Sequence, residues 1–141
     1  MKTRIKWVEE ASFLGETGSG HAVLMDGAAD AGGRDLGPRP MEMMLLGLGG
    51  CTAFDVMLIL KRSREPVTDC VIEIEADRAD EIPKVFTRIR LRYIVTGRKL
   101  NPAKVERAVA LSAEKYCSAS AMLGRVADIT HEIEVREADA D

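Results

Sequence analysis

The chain has 141 residues, 46% of them hydrophobic, 30% charged and 4% aromatic, with a formal net charge of -3. That size and composition imply one globular core built from aliphatic side chains and methionine. Acidic and basic residues are interspersed, so no basic stripe faces a nucleic-acid backbone, no polybasic segment faces an anionic membrane, and neither is an expected partner.

Met1 to Trp7 alternates basic and apolar residues and lacks the apolar core of a secretory signal, which points to a cytoplasmic protein. Within it, Thr3, Ile5 and Trp7 share one face and Lys2, Arg4 and Lys6 the other, the period of a half-buried strand. Phe13 and Leu14, a turn over Gly15 to Gly20, and the apolar run Ala22 to Met25 continue this as a meander or hairpin. Asp26 to Pro40 is crowded with glycine, proline and aspartate and reads as an exposed loop.

Pro40 then stands at the first position of a long helix, with Lys61, Arg62 and Arg64 as cations at its far end and Pro66 as its stop. The stretch from Met41 to Leu60 approaches the length of a membrane span, but Glu42, Thr52 and Asp55 interrupt it. It is read as a helix enclosed by its own sheet or by a second subunit.

Cys70 to Ala76 and Val85 to Val95 alternate as strands. An antiparallel pairing would set Glu73 and Glu75 against the arginines at 88, 90 and 92 on a solvated face. Asn101 and Pro102 cap and open a second helix, whose stripe Val105, Ala108 and Val109 runs on to Tyr116. A further helical turn spans Ser118 to Leu123, Gly124 breaks it, and Ile129 to Val135 alternates as a final strand. The expected class is α+β: an antiparallel sheet packed on a long buried central helix and a second helix, in one domain over residues 1–141.

Three cysteines, an odd number, argue against a structural disulfide framework and for redox or nucleophilic use. Cys51 lies in Gly47-Leu48-Gly49-Gly50-Cys51-Thr52, where three glycines cost helix stability and clear space for a close approach. It reads equally as a small buried hydrophobe at a helix crossing. Cys117 falls at a helix end among polar residues, as a reachable thiol or an incidental one. Cys70 faces the same way as Ile72 and Ile74 and belongs to the core. His21 and His131 read as structural. No spacing matches a CxxC redox motif or a zinc ligand set, so neither a metal nor a bound cofactor is expected.

Pro40-Met41-Glu42-Met43-Met44, Gly49-Gly50-Cys51-Thr52-Ala53 and Glu114-Lys115-Tyr116-Cys117-Ser118 together resemble the OsmC/Ohr family of osmotic-stress and organic-hydroperoxide-resistance proteins, nearest its YhfA-like branch. The resemblance spans nearly the whole chain. It implies an OsmC-like fold, an intertwined homodimer with sites at the interface, and a cysteine pair that reduces hydroperoxides, organic ones by preference. On that pattern Cys51 attacks the peroxide, Cys117 resolves the product as a disulfide, and an external dithiol resets the pair.

The sequence departs from the family's peroxidases at two points. Their proline is followed directly by glutamate, whereas here Met41 follows Pro40 and the acid is Glu42. Their N-terminal hairpin supplies an arginine, whereas Gly18-Ser19-Gly20-His21 has none, leaving Arg39 as the nearest replacement. Glu42 and Arg39 are thus the expected aids to thiolate polarisation. The rival reading is a non-enzymatic dimer of the same fold that binds a small apolar or thiol-reactive ligand or senses redox state. An acyl-transferring hydrolase would need a base beside Cys51 that the sequence does not display.

Overall fold

The structure, a computed structural model, describes residues 1–140, which divide into two compact units, one over Met1–Leu46 and one that begins at Gly47. The first is a three-stranded antiparallel meander of β1 (Thr3–Glu9), β2 (Ser12–Thr17) and β3 (Ala22–Met25) in the order β1-β2-β3. The turn expected at Gly15 to Gly20 begins later than its glycine suggested. Gly15 is a strand residue, paired with Ile5 on one side and Val23 on the other. The reversal occurs over Gly18 to His21, with Gly20 at φ +89°, a conformation that suits residues without a Cβ.

The loop after β3 contains a short 3-10 turn, Ala29–Ala31, and is organised by one carboxylate. Asp26 is buried, and its two oxygens accept the backbone N–H groups of Gly27 (2.8 Å), Arg34 (3.1 Å) and Leu36 (3.2 Å). The loop folds back so closely that a Cβ on Gly33 would stand 1.7 Å from the Gly27 carbonyl oxygen. Glycine is therefore required there.

The long helix α1 (Pro40–Arg62) starts as expected at Pro40 and ends at Arg62, before Pro66, where Arg64 turns to φ +59°. Glu42 Oε1 accepts the Arg39 backbone N–H at 2.8 Å. This is the reaching-back half of a capping box, placed at the third helical position as the motif requires.

The second unit holds β4 (Val67–Arg78), β5 (Phe86–Gly97), α2 (Pro102–Leu111), α3 (Ser118–Leu123) and β6 (Asp128–Glu137), with sheet order β4-β5-β6. β4 and β5 pair antiparallel with Glu73 opposite Arg92 and Glu75 opposite Arg90, as the charge pattern predicts. On the same face Arg90 also binds Asp77, and Arg92 binds Glu134.

The expectation of an antiparallel sheet fails at its last strand, because β6 runs parallel to β5. A parallel neighbour requires a long crossover, and the helical connection through α2 and α3 supplies it. The other face of β5 carries Ile89, Leu91, Tyr93 and Val95 into a core shared with Val105, Ala108 and Val109 of α2.

Burial of α1 is confined to Leu48, Thr52, Val56 and Leu60, spaced by four along one stripe. Full burial of a leucine or valine contributes roughly 1.5–3 kcal/mol. The outward side stays open, with Phe54 69% and Leu46 62% exposed. Among the described residues α1 is the one helix long and apolar enough to cross a membrane, at a mean hydropathy of 2.0. Its buried stripe and the hydrogen bond of Thr52 to Tyr93 of β5 mark it as a core helix.

Burial works to raise the Asp26 carboxyl, but the N–H groups of Arg34, Leu36 and Gly27 outweigh it and hold the carboxyl below its ordinary 3.8. A carboxylate with a depressed folded pKa contributes stability that is present above its unfolded value and lost as pH falls through the folded one. Asp26→Asn is therefore expected to lower the melting temperature at neutral pH. The gap from wild type should narrow below about pH 4, as read from circular-dichroism melts across a pH series.

Candidate active site

Cys51 sits in the middle of α1 and is half-buried. Of the neighbouring glycines only Gly49 meets a partner, since a Cβ there would come 3.0 Å from Ile74 Cδ1 of β4. Gly47 and Gly50 face open space. The cleared room expected from the glycine cluster is thus divided, one glycine admitting the sheet and two leaving the outer surface of the thiol-bearing turn bare.

Cys117 is 3% exposed and occupies the joint between two helical segments. The helix expected to run to Tyr116 is α-helical only to Leu111. Ser112–Tyr116 forms a five-residue π-turn, closed by the Cys117 N–H on the Ser112 carbonyl at 2.9 Å. Such widened turns recur at functional sites. Cys117 then caps α3, its Sγ accepting the Ser120 N–H at 3.3 Å.

Cys51 and Cys117 are both free thiols. Burial pushes the Cys117 thiol above its ordinary value. Ser120, through its hydroxyl and N–H, works against that rise, and the neighbouring Cys51 adds to it.

Beneath the thiols lies a polar group that sequence reasoning did not assemble. Thr52 Oγ1, fully buried, is 2.7 Å from Tyr93 Oη and 2.8 Å from Ser112 Oγ, and Ser112 Oγ donates to Asp55 Oδ2 at 3.0 Å. Burial holds the Tyr93 phenol above its usual value, so it stays protonated at neutral pH. The available signal was Thr52 and Asp55 inside an apolar helix, since buried polar groups demand partners.

Arg39 and Glu42 lie in the first unit, joined by the capping hydrogen bond, and both are exposed. Cys70 is half-buried on the inward face of β4, and burial, with the charge of Asp69, raises its thiol. His21 contacts Ser19 Oγ at 3.2 Å, and the His131 ring stands edge-on to Tyr93 at 6.2 Å. Among the described residues no three His, Cys, Asp or Glu side chains are grouped to hold a metal. A groove of about 740 Å³ runs along the outward side of α1, lined mainly by apolar residues including Phe54 and Met57, with Lys61 and Arg64 among its polar ones.

A two-unit α+β chain with a cysteine on its long helix and another at a helix joint matches the family model described as OsmC-like protein over residues 32–132, and the chain belongs to that family. It is 51% identical over 135 residues to Protein YhfA of Escherichia coli (strain K12), covering 96% of this chain and 98% of that one. A hypothetical protein from Aquifex aeolicus VF5 superposes with a TM-score of 0.86 at 30% identity, covering 98% of this chain and 97% of its own. The organic hydroperoxide resistance protein OhrB of Bacillus subtilis shares the fold at a TM-score of 0.64 and 20% identity, over 94% and 96% of the two chains.

The raised Cys117 pKa has a direct chemical readout, because the thiolate is the reacting form. Alkylation of Cys117 by iodoacetamide should climb only above pH 9, the ordinary value of the group. In Cys51→Ala the climb should begin at lower pH, since one contribution to the rise is gone. Peptide mass analysis of a pH series measures both curves.

Proposed function

We propose that this chain is a thiol-dependent peroxidase that reduces organic hydroperoxides in oxidative or osmotic stress defence, with Cys51 attacking and Cys117 resolving. The observation that supports the reading is that the turn of α1 bearing the half-buried Cys51 is hydrogen-bonded, through Thr52 and Ser112, to the turn that holds the buried Cys117, both cysteines being free thiols. Membership of the OsmC-like family, and the name of the OhrB fold relative, add support.

The Cys51 thiolate attacks the distal peroxide oxygen, the O–O bond breaks, and the alkoxide leaves to be protonated as alcohol. Cys51 is then a sulfenic acid. Cys117 attacks that sulfur, an S–S bond forms as the S–O bond breaks, and the Cys117 proton leaves with hydroxide as water. An external dithiol supplies the two electrons that restore both thiols.

Arg39 and Glu42 are assigned as aids to thiolate polarisation. The functional unit is a homodimer, which covers the exposed Phe54 and Met57 side of α1. The aliphatic and methionine-rich setting suits an alkyl or lipid-like peroxide better than hydrogen peroxide.

The alternative, a non-enzymatic ligand-binding or redox-sensing dimer, is favoured by the apolar groove along α1. Titration of the reduced protein with cumene hydroperoxide separates the two readings. The peroxidase loses two thiols per chain and yields a Cys51–Cys117 peptide link, while Cys51→Ser keeps its Cys117 thiol and Cys117→Ser stops at a sulfenic acid. Survival of the thiols in several-fold excess peroxide would sink this mechanism and direct attention to the groove.

A further inference from the structure

The polar group beneath the cysteines has a fixed direction. Ser112 has one hydroxyl proton, and its donation to the Asp55 carboxylate uses it. Ser112 Oγ must then accept from Thr52, and Thr52 Oγ1 in turn must accept from the Tyr93 phenol. The chain runs Tyr93 to Thr52 to Ser112 to Asp55, with each proton committed. It joins three segments, β5, α1 and the π-turn.

Both cysteines hang from this chain by one covalent or hydrogen-bonded step. Cys51 precedes Thr52 on α1, and the Cys117 N–H donates to the carbonyl of Ser112 itself. Ser112 thus holds Cys117 through its backbone and α1 through its side chain. Loss of the Ser112 hydroxyl removes both side-chain links between the π-turn and α1, and loss of the Thr52 hydroxyl removes one of them, without touching a sulfur atom.

We propose that Thr52, Ser112 and Asp55 are positioning residues that hold the Cys117 turn against the Cys51 turn and so set how fast the disulfide closes between them. The physiological meaning of that closure rests on the peroxidase reading, but the positioning itself does not. Their effect falls on the second step alone, in which the Cys51 S–O bond is exchanged for an S–S bond and water leaves.

The test compares wild type with Thr52→Val, which keeps the shape and loses the hydroxyl, Thr52→Ser, which restores it, and Ser112→Ala. Each is oxidised with one equivalent of cumene hydroperoxide in the presence of dimedone, which traps sulfenic acid, and separately with diamide, which takes two hydrogens from a thiol pair. In Thr52→Val and Ser112→Ala, first-step consumption of peroxide should match wild type while disulfide closure slows, about tenfold for the one turn-to-helix hydrogen bond lost in Thr52→Val and at least that for the two lost in Ser112→Ala. The dimedone adduct on Cys51 should rise correspondingly, and Thr52→Ser should close like wild type.

Wild-type closure in both Thr52→Val and Ser112→Ala overturns the proposal, and so does a Thr52→Ser variant as slow as Thr52→Val. Should Thr52→Val not fold, Ser112→Ala carries the same test. If peroxide leaves every thiol intact while diamide closure still slows in the variants, positioning stands and the peroxidase reading falls. If peroxide forms the disulfide equally fast in all of them, the reverse holds.

Discussion

Burial of the Thr52 hydroxyl constrains more of the second unit than any other single feature. A buried hydroxyl without a partner costs about 1–3 kcal/mol, so Thr52 must meet both Tyr93 and Ser112, and α1 has one acceptable rotation about its axis. Consecutive helical residues are offset by about 100°, so turning Thr52 fully inward leaves Cys51 at the edge of the core. That is where the structure has it, half-buried, with the bare Gly47 and Gly50 surface beyond. The exposure of the thiol follows from the satisfaction of its neighbour.

Much of this was legible in the sequence, and the part that was not has a physical reason. The α+β class, the cap at Asn101, the turn of helix at Ser118 to Leu123 and the facing of Glu73 and Glu75 with arginines of β5 all rest on local periodicity, and each is present. The parallel β6 was not legible, because alternation along a strand carries no information about its neighbour's direction. Nor was the π-turn, since Ser112 to Tyr116 continues a helical stripe without a break in pattern. Its cause is tertiary: Ser112 must reach Thr52 and Asp55, which lie 60 and 57 positions away in the chain. Thr52 and Asp55 were visible only as interruptions in an apolar run, and interruptions do not name their partners.

Glu42 illustrates how a residue singled out for chemistry can have a simpler occupation. The family's peroxidases carry their acid next to the proline, and here it stands one place later, at the third position of α1. That position suits an acid for backbone reasons alone, because its side chain can return to the N–H ahead of the helix, and Oε1 does so at Arg39. Its presence is therefore explained before any thiolate is considered. Asp26 plays a comparable part in the preceding loop, gathering three N–H groups that no regular element could pair.

The two thiols differ in a way that suits a division of labour. Cys51 is reachable, whereas Cys117 is sealed, with burial and Cys51 both raising its pKa against the pull of Ser120. A resolving thiol gains from that setting. Intrinsic nucleophilicity rises with thiol pKa, and a proton retained until the moment of attack is available to carry away the hydroxide of a sulfenic acid as water. A sealed thiol is also shielded from oxidants in solution, so on the peroxidase reading its first electrophile is the Cys51 sulfur. On the peroxidase reading, the core that keeps Cys117 protonated is the same core that Thr52 anchors, and stability and chemistry draw on one set of hydrogen bonds.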